Sequence, residues 1–253
     1  MPRYRLTLEY DGGPFVGWQR QDNGLSVQQA IEETVLAFCG EVVALVAAGR
    51  TDAGVHATGQ VAHLDLVRDT APERLQSAIN ALVRPQPVAV LQVARVSDGF
   101  HARFDALARH YLYVILNRRA PSVLDRHRAW HVPHHLDAER MHAAAQALVG
   151  RHDFSSFRAA ECQSASPVKS LDRIHVRRIG ERIEIAVKAR SFLHHQVRNI
   201  AGTLKLVGEG REPVGFVPEV LAARDRRKAG PTAPAHGLYL SAVDYPPRAV
   251  GPP

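Results

Sequence analysis

Asp52 lies two residues after Arg50 in the run GRTDAGVHATGQVAHLD (49–65), which Gly49, Gly54 and Gly59 punctuate. A carboxylate beside a guanidinium stays ionised, which suits a nucleophile and does not suit a general acid. The glycines allow tight turns and a close approach of a ligand to the main chain. The next acid is Asp65. Glycoside hydrolysis needs a second carboxylate at a suitable spacing, and the run offers none. Spacing alone leaves a plainer reading open, a β-turn in which Asp52 caps backbone amides.

Fourteen histidines raise the question of a metal. Asp52, His56, His63 and Asp65 could surround a cation, as could WHVPHHLD (130–137) or His194 with His195. None of these sets has the H-E-x-x-H spacing, or H-x-E with C-x-x-C, that fixes a zinc ion. Cys39 and Cys162 lie far apart, so neither a thiolate site nor a disulfide framework is expected. The spacing predicts no metal.

The charge balance points to a polyanion. Thirty-two basic residues against 25 acidic ones give a formal charge of +7, and 28 of the basic residues are arginine. Guanidinium forks onto phosphate and stacks on bases better than ammonium does. A codon bias toward arginine would give the same count, and composition does not separate the two. No apolar run approaches the roughly 20 residues of a membrane span. The start, MPRYRLTLEYDGG, lacks a signal peptide's apolar middle, so a cytoplasmic protein is expected.

The elements that must position these residues follow from periodicity. Residues 4–10 alternate as a strand. Ser26 caps a helix, with Gln29 completing a capping box, Val27, Ala30, Ile31, Val35 and Phe38 as the apolar stripe, and Gly40 as the stop. The apolar run VVALVAA (42–48) reads as a buried strand, and residues 59–66 alternate again. Pro72 opens a second helix, and VAVLQVARV (88–96) is a strand. The order is βαββαβ. It returns with a strand at 106–116, a helix capped by Asp137 that ends near Gly150, and two strands turning at Gly180. A helix from near Phe192, a short helix near 216–223 and a last strand at 237–243 complete the second copy. The predicted fold class is α+β: two tandem ferredoxin-like (βαββαβ) halves with mainly antiparallel sheets flanking a central RNA-binding groove. The predicted domains are 1–104 with the Asp52 loop, 105–246 completing the site, and a loose tail, 247–253.

The 49–65 run closely resembles the signature of the tRNA pseudouridine synthase A family, in which the Asp of R-T-D-A-G-V-H is the catalytic nucleophile. EYDGGPFVGWQRQ with SVQQAIEE, FHARFDALARHYLYVI, LVGRHDFSSFRA, FLHHQVRNIAGTL and GLYLSAVDYP also look like family blocks, in family order from residue 9 to 246. Departures are small: no acid follows the proline in NALVRPQPVAV (80–90), and Lys169 stands in SPVKS where an arginine is common.

The resemblance implies isomerisation of uridine to pseudouridine at positions 38, 39 and 40 of the tRNA anticodon stem-loop. It implies no cofactor, and a homodimer with tRNA lying across both subunits. Asp52 would attack at C1′ or C6, or abstract the C2′ proton. Tyr111 would stack on the extruded uracil and move a proton at C5. Arg198 would be the basic residue that pairs with the nucleophile, on a helix face shared with His194 and Gly202. Arg50 would help displace the base, a step that costs a few kcal/mol. His56 would face RNA and Leu240 would pack on the uracil. Arg226 and Arg227, in RDRRK (224–228), would grip tRNA phosphates together with the His194–Arg198 stripe. A catalytically inactive RNA-binding module and a metal-dependent RNA hydrolase are the competing classes.

Overall fold

The computed structural model describes residues 1–247. The first elements are β1 (Arg3–Tyr10), α1 (Val27–Cys39), β2 (Val46–Ala47), β3 (His56–Asp65), α2 (Pro72–Leu82) and β4 (Val88–Val96). There follow β5 (Ala108–Asn117), β6 (Trp130–Val132), α3 (Ala138–Ala145), β7 (Gly150–Asp153), β8 (Val168–Ile179) and β9 (Arg182–Ala189). The chain ends in α4 (Gln196–Gly208), α5 (Phe216–Ala223) and β10 (Leu238–Asp244). Two compact units result: Met1–Arg109 together with residues 239–247, and His110–Leu238.

In the first unit β1 is the centre. It runs antiparallel to both β3 and β4, and β2 is antiparallel to β3, so the strands of the βαββαβ order stand as β4-β1-β3-β2. Alternation in β1 buries Tyr4, Leu6, Leu8 and Tyr10, and Ile31, Val35, Leu75 and Ile79 of α1 and α2 are fully buried. Ser26 accepts the Gln29 N–H at 3.1 Å, as a helix cap should. The capping box is half made, because the Gln29 side chain turns to Glu33 instead. The apolar run 42–48 is not a continuous strand. Only Val46 and Ala47 pair with β3, Val42 is 89% exposed, and the Leu45 N–H is taken by the Glu32 carboxylate. A run of valines and alanines is apolar enough for a strand, but Val42 and Ala44 in its first half stay exposed.

The second unit has the sheet order β5-β9-β8-β7, with β6 parallel to β5. The β8–β9 hairpin turns at Gly180 as its periodicity predicts, and Met141, Ile200, Leu204 and Val207 of α3 and α4 are fully buried. Two features differ from expectation. Helix α4 begins at Gln196, not near Phe192. His195 has φ 61°, which no helical residue adopts, and Gln196 turns its amide oxygen back onto the Leu193 N–H at 2.8 Å. The last strand, β10, belongs to the first unit and not to a domain 105–246: it pairs in parallel with β3, Tyr239 opposite His56 and Leu240 opposite Ala57. Gly59 makes this pairing possible, because a side chain there would run into the Ser241 carbonyl. Past the strand, the Tyr245 hydroxyl donates to the Ala102 carbonyl at 2.5 Å, and Tyr245 packs on Phe100. Of the tail expected to be loose, 248–253 lie outside the described residues. No helix among the described residues is long and apolar enough to cross a membrane.

Candidate active site

Asp52 sits half-buried in the loop between β2 and β3, beside exposed Arg50. The loop is held from below by the end of β1 and the loop after it. The Tyr10 and Thr51 hydroxyls share a hydrogen bond of 2.8 Å in a buried setting, and Gln60 reaches both Tyr10 and the Gly49 carbonyl. Trp18 N–H donates to the Thr51 carbonyl, and Val55 N–H closes the turn on the Asp52 carbonyl at 3.1 Å. Gly12 lies so close to Val55 that a side chain there would strike its carbonyl. Burial pushes the Tyr10 phenol up to about 12, so it stays neutral and the bracing carries no charge. These contacts fix the peptide on either side of Asp52, which is what positions a nucleophile.

Two residues predicted to face RNA in this unit are inside it. His56 is 2% exposed, its ring stacks on Tyr239 at 4.8 Å, and Gly12 N–H donates to its Nδ1 at 3.0 Å. It braces the Asp52 loop. Leu240 is 0% exposed in β10 and presents no surface to a base. Asp65, the next acid along the chain, is held by the Arg3 Nε and one terminal nitrogen at 2.7 and 2.8 Å, and its carboxyl is pulled below the usual range by that bond. It is a surface ion pair. His63 accepts the Ala102 N–H at 3.2 Å, and burial lowers it to about 4, with Arg3 and His101 adding to the effect.

In the second unit Tyr111, on β5, is half-buried and meets Phe192 edge-on, with ring centroids 5.0 Å apart. Phe192 was not among the predicted site residues; its place at the head of FLHHQVRN was the available signal. Arg198 leaves the first turn of α4 and donates from Nε to the Ala233 carbonyl at 2.8 Å. His194 is not on this helix face. It precedes α4, with its ring tilted against His195 at 4.0 Å. Gly202 is buried, so the predicted outward stripe of His194, Arg198 and Gly202 does not exist. Arg226 is turned inward onto Gly230, Asn199 and Thr232, and burial lowers its pKa. Arg224, Arg227 and Lys228 are the exposed basic members of the run, and Arg227, its side chain 89% accessible, is paired to Asp225 at 2.8 Å.

A family model described as tRNA pseudouridine synthase matches residues 7–105 and 144–246, stretches that contain the Asp52 loop and α4. The chain belongs to the tRNA pseudouridine synthase family. The protein named tRNA pseudouridine synthase A in Rhodospirillum centenum is 60% identical over 245 residues, 97% of this chain and 100% of its own length. Its namesake in Paramagnetospirillum magneticum is also 60% identical, over 97% of this chain and 96% of that protein. The one in Maricaulis maris is 56% identical over 97% and 99% respectively. Tyr111 falls between the two matched stretches, so its assignment rests on the block FHARFDALARHYLYVI.

Proposed function

We propose that this chain isomerises uridine to pseudouridine in tRNA, at positions 38, 39 and 40 of the anticodon stem-loop. The observation that carries the reading is Asp52 itself: a carboxylate on a loop whose flanking peptides are tied down by buried neutral groups, inside the family's R-T-D-A-G-V-H run. The reaction breaks the bond between N1 and C1′ and forms one between C5 and C1′. A proton leaves C5 and one is gained at N1. Nothing is oxidised and no water is consumed, so the chemistry calls for no cofactor and no metal.

Asp52 attacks the nucleotide, at C1′ or C6 or by taking the C2′ proton. Tyr111 stacks on the uracil and moves the C5 proton, with Phe192 fixing the tilt of its ring. Arg198 supplies the cation that the motif assigns beside the nucleophile. Exposed Arg50 takes the space or the phosphate left when the nucleotide swings out. The enzyme acts as a homodimer in the cytoplasm, with tRNA lying across both subunits.

Mapping of pseudouridine in tRNA treated with the protein, with and without chelator, tests this against its rivals. Uridine converted at unchanged mass in both conditions is the expected result. Binding without conversion would leave an inactive RNA-binding module. Strand cleavage that needs a divalent ion would leave a hydrolase.

A further inference from the structure

The segment that follows the RDRRK run folds back over α4 as a strap, and Arg226 is its fastener. Its guanidinium spans three groups: the Gly230 carbonyl at 2.9 Å, and the Asn199 side-chain oxygen and the Thr232 hydroxyl at 3.0 Å each. Thr232 in turn donates to the same Asn199 oxygen at 2.7 Å. Asn199 is fully buried, and its amide nitrogen is fixed on the Phe157 carbonyl at 2.9 Å, so this oxygen is a rigid anchor. A further tie runs from Gly230 N–H to the Thr203 hydroxyl at 3.0 Å. The strap lies directly on the helix. A side chain at Gly202 would enter the Pro231 carbonyl.

The strap's next residue is Ala233, whose carbonyl accepts Arg198 Nε and whose N–H donates to the Arg198 carbonyl at 3.2 Å. Side chain and backbone of Arg198 are thus both held by one residue of the strap. An arginine side chain is long and loses much rotamer freedom when fixed, so its direction needs such an external hold.

We infer that Arg226 is a positioning residue for Arg198, holding the 229–234 strap on α4, and not a phosphate contact. This rests on the reading of Arg198 as a participant in the isomerisation. Arginine suits the place because its rigid planar fork meets the three acceptors from two separate nitrogens, which the compact ammonium of lysine does not offer. Lysine at 226 would keep the charge and lose the geometry.

The test compares Arg226→Met, Arg226→Lys and Thr232→Val, each in the wild-type and the Arg198→Ala backgrounds, on tRNA substrate. In the wild-type background Arg226→Met is expected to lower kcat roughly ten- to a hundredfold, the scale of a misplacement of about 1 Å, with KM close to wild type. Arg226→Lys should fall nearly as far, and Thr232→Val, which removes one tie, should fall less. In the Arg198→Ala background Arg226→Met should change nothing more, because a residue acting through Arg198 has nothing left to act on. The salt dependence of tRNA binding should be unchanged. In protein labelled with 15N-arginine, the Arg198 Nε–H resonance, identified by its loss in Arg198→Ala, should shift and exchange faster when Arg226 is Met.

A flatter salt dependence in Arg226→Lys or Arg226→Met, or an equal loss of kcat in both backgrounds, would overturn the inference. So would an unmoved Arg198 resonance. Wild-type kcat in Arg198→Ala would instead overturn the reading of Arg198, while the resonance still decides whether Arg226 holds it. Thr232→Val keeps the test open if Arg226→Met does not fold.

Discussion

The Asp52 loop and the Arg198 end of α4 are both fixed by contacts far away in sequence, yet by opposite means. Around Asp52 the groups that hold the flanking peptides directly are neutral, the Tyr10 and Thr51 hydroxyls, the Gln60 amide and the backbone of residues 12–18, with His56 behind them 3.1 Å from the Asp11 carboxylate. Around Arg198 the fastener is itself a cation, Arg226, spent on a carbonyl, an amide oxygen and a hydroxyl. Neutral bracing holds the loop without setting a further charge beside it. Charged bracing takes an arginine out of the RNA-binding count. Arg226 is not alone in this. Arg109 is buried with its nitrogens on the Ala48, Ala106 and Arg103 carbonyls, and Arg158 holds the Cys162 and Ser164 carbonyls. Several of the 28 arginines are therefore structural donors, and a net charge of +7 overstates the phosphate-gripping surface.

The largest effect should come from the carboxylate. Asp52→Asn keeps the shape and removes the nucleophilic charge, so pseudouridine formation should fall below about one per cent of wild type with tRNA affinity nearly intact. Turnover above that level in a single-turnover assay would remove Asp52 from the chemistry. Tyr111→Phe should follow. The ring still meets Phe192 and still stacks, while loss of the hydroxyl should lower kcat on the order of a hundredfold if it moves the C5 proton. A Phe variant as fast as wild type would reduce Tyr111 to packing, and Tyr111→Ala should in addition weaken tRNA binding.

The neutral bracing can be broken by one atom. Tyr10→Phe leaves the buried Thr51 hydroxyl without its 2.8 Å partner and should cost about 1–3 kcal/mol, read as a lower urea midpoint at unchanged slope. Because the loss falls beside Asp52, kcat should drop several-fold as well. A stability loss with full activity would show that the loop's hold and the chemistry are separate.

How much of this was legible beforehand follows the same divide. Asp52, Arg50 and the βαββαβ order could be read because the motif is contiguous and β1, α1 and β4 alternate or repeat cleanly. The exposed half of 42–48 and the pairing of β10 with β3 could not, because burial depends on what the rest of the chain lays over an apolar run. His56 and Leu240 look like ligand contacts in sequence since each belongs to a family block, and the structure uses both as packing. The inward turn of Arg226 is the clearest case. A guanidinium in a run of basic residues gives no local sign that Asn199, 27 positions earlier, is its acceptor.

The first unit should also show a pH response that originates at His63. His63 is held neutral, at about 4 against an ordinary 6.5, by burial first and then by Arg3 and His101, with Asp65 and Asp105 opposing. Between those values the unfolded chain binds a proton that the folded chain does not, so stability should fall as pH drops from about 6.5 toward 4. The loss should be on the order of 1–3 kcal/mol in urea midpoints taken across the window. His63→Gln, which can still accept the Ala102 N–H, should flatten that part of the profile. His175 in the second unit is also lowered, by burial and by His142, Arg173 and Arg177, and would account for a residual slope. A profile unchanged in His63→Gln would place the pH response elsewhere.

The smallest effect should come from Arg227, and it sharpens the contrast with its neighbour. Its side chain is exposed and lies along Asp225, whose carboxyl its own hydrogen bond pulls down to about 2. Such a surface pair is weak, so a phosphate can compete for the guanidinium at little cost. If Arg227 neutralises one tRNA phosphate, Arg227→Ala should weaken binding alike for every substrate tRNA. It should also flatten the plot of log affinity against log salt by roughly 0.7 to 0.9, the counterions released by one contact. Catalysis on bound tRNA should be unchanged. Arg226→Met, one residue away, should do the reverse, leaving the slope and lowering kcat. Affinities measured at four or five salt concentrations for the two variants decide between them. An unchanged slope for Arg227→Ala would take Arg227 off the RNA path and leave Asp225 and Arg227 as a solvated helix end.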